Sequence, residues 1–315
     1  MDRNRKIVVS ILVLLVLSSV LVIIDISLTL QGIKRDVYRI QAPGIGPGVG
    51  VIRVYGPIMV ADEGGPLGLA RGSDAVLDRL SQLESDSRIR AIVVRINSPG
   101  GTVAATQEIY NKLMKLRKKN VVLVASMGEL AASGGYYIAS ACNYIYANYG
   151  TVTGSIGVIA MSPNLRGLFD KLGIRMNVIK SGRYKDMLAS YKDISPEERQ
   201  LIQELIDSAY DKFVKDVSLG RSMPIADIEP YADGRVFNGS SALKYKLVDD
   251  LGSMEDAIAK ARQMAKLPDD SPVYDEMKSP FERLLMSVSA MIRPAAAFDE
   301  SVLRPYPAVE YRYQP

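Results

Sequence analysis

Two short runs of nearly uninterrupted apolar residues, AIVVRI (91–96) and VVLVAS (121–126), flank a stretch whose apolar side chains recur at helical spacing. A strand buried on both faces reads this way, and two such strands joined through a helix form the crossover that a parallel sheet requires. The pattern extends in both directions. VIRVYG (51–56) alternates like a strand, and residues 73–89 carry Val76, Leu77, Leu80 and Leu83 on one helical face. Residues 103–118 and 134–141 read as helices, YIYA (144–147) as a strand, NLRGLFDKLG (164–173) as a helix stopped by its glycine, and IRMNVI (174–179) as a further strand. The clearest helix is SPEERQLIQELIDSAYDKFVKDV (195–217): Ser195 caps it, Pro196 suits its first turn and Glu198 completes a capping box. SMEDAIAKARQMAK (253–266) opens in a similar way on Ser253. The expected fold is α/β, with a layered, mostly parallel sheet and flanking helices.

Ahead of this region, Ile7–Ile24 holds no charged residue, and as a helix it spans about 27 Å, close to one hydrocarbon core. Arg3, Arg5 and Lys6 precede it and Asp25 follows, which keeps the N-terminus inside the cell. A cleaved signal peptide is the rival reading, but the run is long for one and no Ala-X-Ala site follows. A retained anchor makes this a single-pass protein of the cell membrane, with the rest of the chain on the extracytoplasmic side. The expected organisation is an anchor at 1–30, a linker at 31–50 that includes the Pro/Gly-rich QAPGIGPGVG (41–50), a main domain at 51–270 and an extension at 271–315. Within the extension, AVEYRY (308–313) alternates like an extended strand. It is either a loose chain end or a strand laid across an open sheet edge near a peptide groove.

The chain contains no histidine and one cysteine, Cys142. Ser-His-Asp and Cys-His catalysis are therefore excluded, as are the common zinc sets and an intrachain disulfide; an all-carboxylate metal site stays open, but no cofactor or metal is expected. The balance of 39 Lys+Arg against 35 Asp+Glu, a net +4, is too small and too dispersed to argue for nucleic acid. Three Gly/Ser clusters remain: NSPGG (97–101), ASGG (132–135) and TGSIG (153–157). Loops after successive parallel strands leave the sheet at one end, where ligands bind in α/β folds. Ser133 opens a helix, which suits either a nucleophile or an ordinary cap, and Gly100 and Gly101 permit a tight turn whose N–H groups can meet a developing oxyanion. With no histidine to take the serine proton, a lysine becomes the candidate, its pKa lowered by desolvation from about 10.4 toward 7–8. IKSGRYKDM (179–187) offers both Lys180 and Lys185.

Taken in order, RINSPGG (95–101), SMGELAASGGYYIASACNYIYA (126–147), TVTGSIGV (151–158), IKSGRYKD (179–186) and ADGRVFNGSSALKYKLVDDLG (232–252) resemble the signal peptide peptidase A (SppA) family, membrane-anchored serine proteases of peptidase family S49. The resemblance implies Ser133 as nucleophile, Lys185 as general base, Ser155 as the residue that orients the lysine, and the Gly100 N–H as an oxyanion donor. It implies a crotonase/ClpP-like fold and the short form with one catalytic domain. The expected partners are hydrophobic peptides, signal-peptide remnants among them, membrane lipid through the N-terminal helix, and further copies of the chain in a ring, an octamer by family expectation. Glu129 and Leu130, ahead of AASGG, are this chain's own departure from the pattern. The alternatives weighed are a stomatin-associated membrane protease of the same plan, an acyl-CoA enzyme of the crotonase type, and a non-catalytic membrane scaffold.

Overall fold

A computed structural model of the chain describes residues 46–60 and 72–275, together with the backbone of 309–312. The run Ile7–Ile24 and most of the expected linker lie outside the described residues, and none of the described helices is long and apolar enough to cross a membrane.

The chain passes through β1 (Gly48–Tyr55), α1 (Ser73–Ser85), β2 (Ile89–Ser98), β3 (Gly100–Thr102), α2 (Val103–Lys118), β4 (Val122–Ala132) and α3 (Gly134–Ser140). It continues through β5 (Tyr144–Ala147), β6 (Val152–Gly154), β7 (Ile159–Ala160), α4 (Arg166–Leu172), α5 (Pro196–Arg221) and α6 (Ile225–Ile228). Then come β8 (Val236–Asn238), α7 (Gly239–Lys244), β9 (Asp250–Leu251), α8 (Met254–Met264), β10 (Val273–Tyr274) and β11 (Val309–Arg312).

The main sheet has the order β10-β1-β2-β4-β5-β9, with every neighbour parallel. Period-two alternation divides its side chains between two cores. Val49, Val51, Ala91, Val93 and Val124 pack with Ala257 and Ala261 of α8. Ile92, Val94, Ile96, Leu123, Ala125 and Met127 join the larger core formed with α1, α2, α3 and α5. Both faces are covered, which is why AIVVRI reads as an unbroken apolar run.

Three boundaries differ from the sequence reading. β1 begins inside the expected linker, because Val49 pairs with Ala91 and is buried in the sheet. β4 runs past Ser126 to Ala132 by changing partner: Val124–Ser126 pair with β5, and Leu130–Ala132 pair with β6. IRMNVI is not a strand, and every residue from Lys171 to Lys185 is exposed. A β-branched run becomes a strand only beside a chain that accepts its ladder, and no described segment lies there.

The capping box of α5 forms as expected: Ser195 Oγ accepts the Glu198 N–H at 3.2 Å, and the Glu198 carboxylate accepts the Ser195 N–H at 3.0 Å. The middle of α5 fixes α3. The Tyr137 hydroxyl of α3 donates to the buried Asp216 carboxylate, which also accepts from Lys212 Nζ at 2.6 Å. Tyr110 of α2 donates to the Asp216 carbonyl at 2.7 Å. The Tyr137 ring meets Tyr110 edge-on at 5.0 Å and lies 4.5 Å from Phe213. Removing the hydroxyl leaves a buried carboxylate short of a donor. Tyr137→Phe is expected to lower stability by about 1–3 kcal/mol in urea unfolding. An unchanged midpoint would show that this bond does not hold α3.

Candidate active site

The parallel strands β2 and β4 deliver two of the three Gly/Ser clusters to one end of the sheet. After β2, Ser98 Oγ donates to the Gly56 carbonyl at 2.7 Å and accepts the Gly100 N–H at 3.1 Å, and Gly100 turns at φ 100°. After β4, Ser133 sits between strand and helix at φ 52° and ψ −116°. Its N–H donates to the Gly154 carbonyl at 2.8 Å, so the third cluster lies against the second. Ser155 follows at φ 51°, and its N–H donates to the Arg235 carbonyl at 2.8 Å. A non-glycine residue in such a conformation costs of order 1–3 kcal/mol and persists only where its surroundings over-determine it.

Backbone packs directly on backbone here. A Cβ on Gly134 would lie 2.8 Å from Thr106 Oγ1, 3.0 Å from Gly100 Cα and 3.2 Å from the Gly101 nitrogen. One on Gly101 would lie 1.8 Å from the Ile58 carbonyl oxygen. Ile58 donates to the Gly100 carbonyl and accepts from the Thr102 N–H, both at 2.8 Å. By strand alternation, the Gly101 N–H and C=O face the opposite edge, toward β11. At the start of α3, the Gly134 N–H precedes the first intrahelical bond, which Tyr137 makes to the Ser133 carbonyl at 2.8 Å.

Ser133 is 1% exposed, and its hydroxyl has no hydrogen-bond partner among the described residues. Ser155 is also buried and lines a cleft of about 560 Å³ with Val158, Ile159, Tyr210, Asp207 and Asp233. Cys142 is buried in the core, and burial pushes its thiol up to about 12, which leaves no thiolate for chemistry at neutral pH.

The two candidate lysines stand in different surroundings. Lys180 Nζ donates to Asp186 Oδ1 at 2.6 Å and to the Arg183 carbonyl at 3.0 Å. Asp186 also accepts from Lys192 at 3.1 Å and from Tyr191 at 3.0 Å. The Lys180 hydrogen bond, with those of Lys192 and Tyr191, holds the Asp186 carboxyl well below the usual range. Lys185 is exposed, and its ammonium has no ion pair or hydrogen bond among the described residues. The structure thus gathers Ser133, Ser155 and Gly100 and leaves Lys185 on an exposed arm.

Ser98 and Thr106 went unread in the sequence. Ser98, two residues before a glycine turn, belongs to a type that bonds its own backbone. Thr106 lies in the first turn of α2, fully buried, with no hydrogen-bond partner for its hydroxyl among the described residues, and carries no sequence signal.

The family model for peptidase family S49 matches residues 115–268, and the model for Clp protease matches residues 70–146. A candidate protease of Synechocystis sp. is 47% identical over 206 residues, covering 65% of this chain and 74% of its own. The chain belongs to peptidase family S49. A candidate signal peptide peptidase SppA of Enterococcus faecium is 38% identical over 193 residues, which are 61% of this chain and 56% of that protein. The chloroplastic serine protease SPPA of Arabidopsis thaliana is 35% identical over 243 residues, which are 77% of this chain and 34% of that protein. The chain therefore spans well under two thirds of both of these relatives. Serine endopeptidase chemistry goes with the family, and the S49 match contains Ser133, Ser155 and Lys185. The Clp match, which contains both glycines of NSPGG, agrees with the mixed α/β architecture.

In an S49 peptidase built this way, Gly134→Ala displaces the Ser133 turn, and kcat on a fluorogenic hydrophobic peptide is expected to fall roughly 100-fold. Adding Thr106→Ala relieves the contact and should restore part of the loss. Full activity in Gly134→Ala alone would contradict the close approach.

Proposed function

We propose that this chain is a membrane-anchored endopeptidase that cuts hydrophobic peptides, remnants of signal peptides among them, through an acyl-enzyme on Ser133. The observation that carries the reading is the buried, unpartnered Ser133 hydroxyl in a strained strand-to-helix turn where glycine loops converge. Ser133 Oγ attacks the scissile carbonyl carbon while neutral Lys185 takes its proton. Negative charge on the carbonyl oxygen is met by the N–H groups of Gly101 and Gly134. Gly101 takes the role expected of Gly100, whose N–H is already held by Ser98. Collapse breaks the C–N bond, and the lysine returns the proton to the leaving amine. Water then attacks the ester carbonyl and loses a proton to Lys185; the C–Oγ bond breaks, the departing Ser133 oxygen takes that proton back, and the acid leaves with serine and neutral lysine restored. Ser155 hydrogen-bonds the lysine amine and fixes its direction.

Lys185 is preferred over Lys180 because Lys180 Nζ is already engaged by Asp186 and the Arg183 carbonyl, whereas Lys185 makes no such contact among the described residues. The base reaches Ser133 from a neighbouring copy in a homo-oligomeric ring. Supporting this are the uncovered arm, with Ile174, Met176, Val178 and a fully exposed Ile179, and the cleft beside Ser155 through which a lysine can approach. The crotonase/ClpP-like fold belongs to the same reading. So does the anchor, which rests on the charge-free run Ile7–Ile24 and places the enzyme extracytoplasmically, where membrane-borne peptides reach it at high effective concentration. Burial of their Leu- and Ala-rich cores supplies the binding energy.

Ser133→Ala and Lys185→Ala should each abolish cleavage of a hydrophobic peptide, while Lys180→Ala only weakens it. Co-assembly of the two inactive chains should recover about a quarter of the sites, those pairing an intact serine with a neighbour's intact lysine. Losses below about tenfold in Ser133→Ala would reject the nucleophile. Failure of the mixture to recover activity would reject the shared site.

A further inference from the structure

Exposure ends between Lys185 and the next residue, Asp186. Every residue from Lys171 to Lys185 is exposed, whereas the Asp186 side chain is only 12% exposed and its oxygens are taken up by three donors. Lys180 Nζ reaches Oδ1 at 2.6 Å, Lys192 Nζ reaches the same oxygen at 3.1 Å, and the Tyr191 hydroxyl reaches Oδ2 at 3.0 Å. The two lysine bonds join ionised partners on both sides, the stronger kind of hydrogen bond.

The donors come from both sides of Lys185. Lys180 precedes it, and its Nζ also donates to the Arg183 carbonyl at 3.0 Å, which closes residues 180–186 into a loop. Inside the loop Gly182 turns at φ 91°, and its carbonyl accepts the Lys185 N–H at 3.4 Å. Tyr191 and Lys192 follow the loop. Lys192 Nζ donates in addition to Glu198 Oε1 at 2.5 Å, and Glu198 is the buried residue that caps the start of α5. Glu197, the other acidic residue of that first turn, faces Arg183 of the loop at 3.8 Å. The loop that carries Lys185 is thus fastened at its neck to the end of a 26-residue helix. Apolar packing does not account for this order, since none of residues 180–186 belongs to either core.

A lysine delivers its amine on a flexible four-carbon stem, so the point that the amine reaches is defined only if the backbone behind it is fixed. A carboxylate one residue away with free oxygens would also attract the charged form of the lysine, which cannot take a proton. We propose that Asp186 is a positioning residue for the base. Pinned by Lys180, Tyr191 and Lys192, it fixes the backbone from which Lys185 projects, and its oxygens, already occupied, do not capture that lysine. This rests on the reading of Lys185 as general base. It also gives Lys180 a part of its own, as one of the pins and not as a second base.

The test is Asp186→Asn in the detergent-solubilised full chain, which keeps the shape of the side chain but removes its charge and turns one oxygen into a donor facing donors. On a fluorogenic hydrophobic peptide, kcat should fall about 30-fold with KM unchanged. Asp186→Glu, which restores the charge, should stay within about threefold of the parent. Tyr191→Phe removes one bond and keeps every charge; it should lower kcat about threefold, and it carries the test should Asp186→Asn not fold. A raised KM with unchanged kcat would overturn the proposal, because the arm would then serve peptide binding. Lys185→Ala, measured alongside, separates the two readings. If Lys185→Ala is inactive while Asp186→Asn and Tyr191→Phe are fully active, the base stands and its positioning by Asp186 is rejected. If Lys185→Ala cuts normally, the base reading falls and the role of Asp186 falls with it.

Discussion

The contact of bare backbone with bare backbone at Gly101 and Gly134 is the constraint on which the site depends. With no Cβ on either residue, the loop after β2 closes on Ile58 from one side and on the start of α3 from the other. A side chain at Gly101 would push Ile58 away by more than an ångström, and one at Gly134 would displace its neighbours by a few tenths. The closeness forces Ser133 into a conformation that a non-glycine residue avoids, and that strain has to be offset by packing elsewhere. The packing is found one turn along α3, where Tyr137 is held by Asp216, Tyr110 and Phe213. The Ser133 N–H bond to Gly154 then brings in the loop of Ser155, itself at positive φ.

Without histidine the site separates tasks that an imidazole would combine. The candidate nucleophile Ser133 is buried in its turn, whereas the candidate base is on an arm exposed from Lys171 to Lys185. A lysine that must lose its proton benefits from a dry site, yet a lone chain leaves Lys185 in water. Completion by a second copy would supply the burial that one chain lacks. Asp186 meanwhile gathers Lys180, Lys192 and Tyr191, and of the two lysines in IKSGRYKDM it leaves Lys185 without a carboxylate partner among the described residues.

Much of the frame was legible in the sequence because its elements carry their own periodicity. α2 spans 103–118 as read, and α5 begins at the capping box spelled by Ser195, Pro196 and Glu198. The short strands β7, β8 and β10 were not legible, since two or three residues have no period and exist as strands through their partners. IRMNVI shows the converse, a strand-like run with no partner. The resemblance pointed to Gly100 as the oxyanion donor, but which edge of β3 faces Ile58 is set by partners that the sequence does not display. Spacing offered both Lys180 and Lys185 and the resemblance pointed to Lys185; that Asp186 captures Lys180 is visible only in the fold. The alternation of AVEYRY announced an extended strand, but its partners, β3 and β7, lie far away in the chain.

The nucleophile is the point at which chemistry and geometry meet most directly. A peptidyl inhibitor that acylates serine, located by mass spectrometry after digestion, reads its position without any assumption about the base or the ring. The expected result is a single adduct on Ser133 that is absent from Ser133→Ala. An adduct on Ser155 or another residue, or labelling that persists in Ser133→Ala, would contradict the assignment.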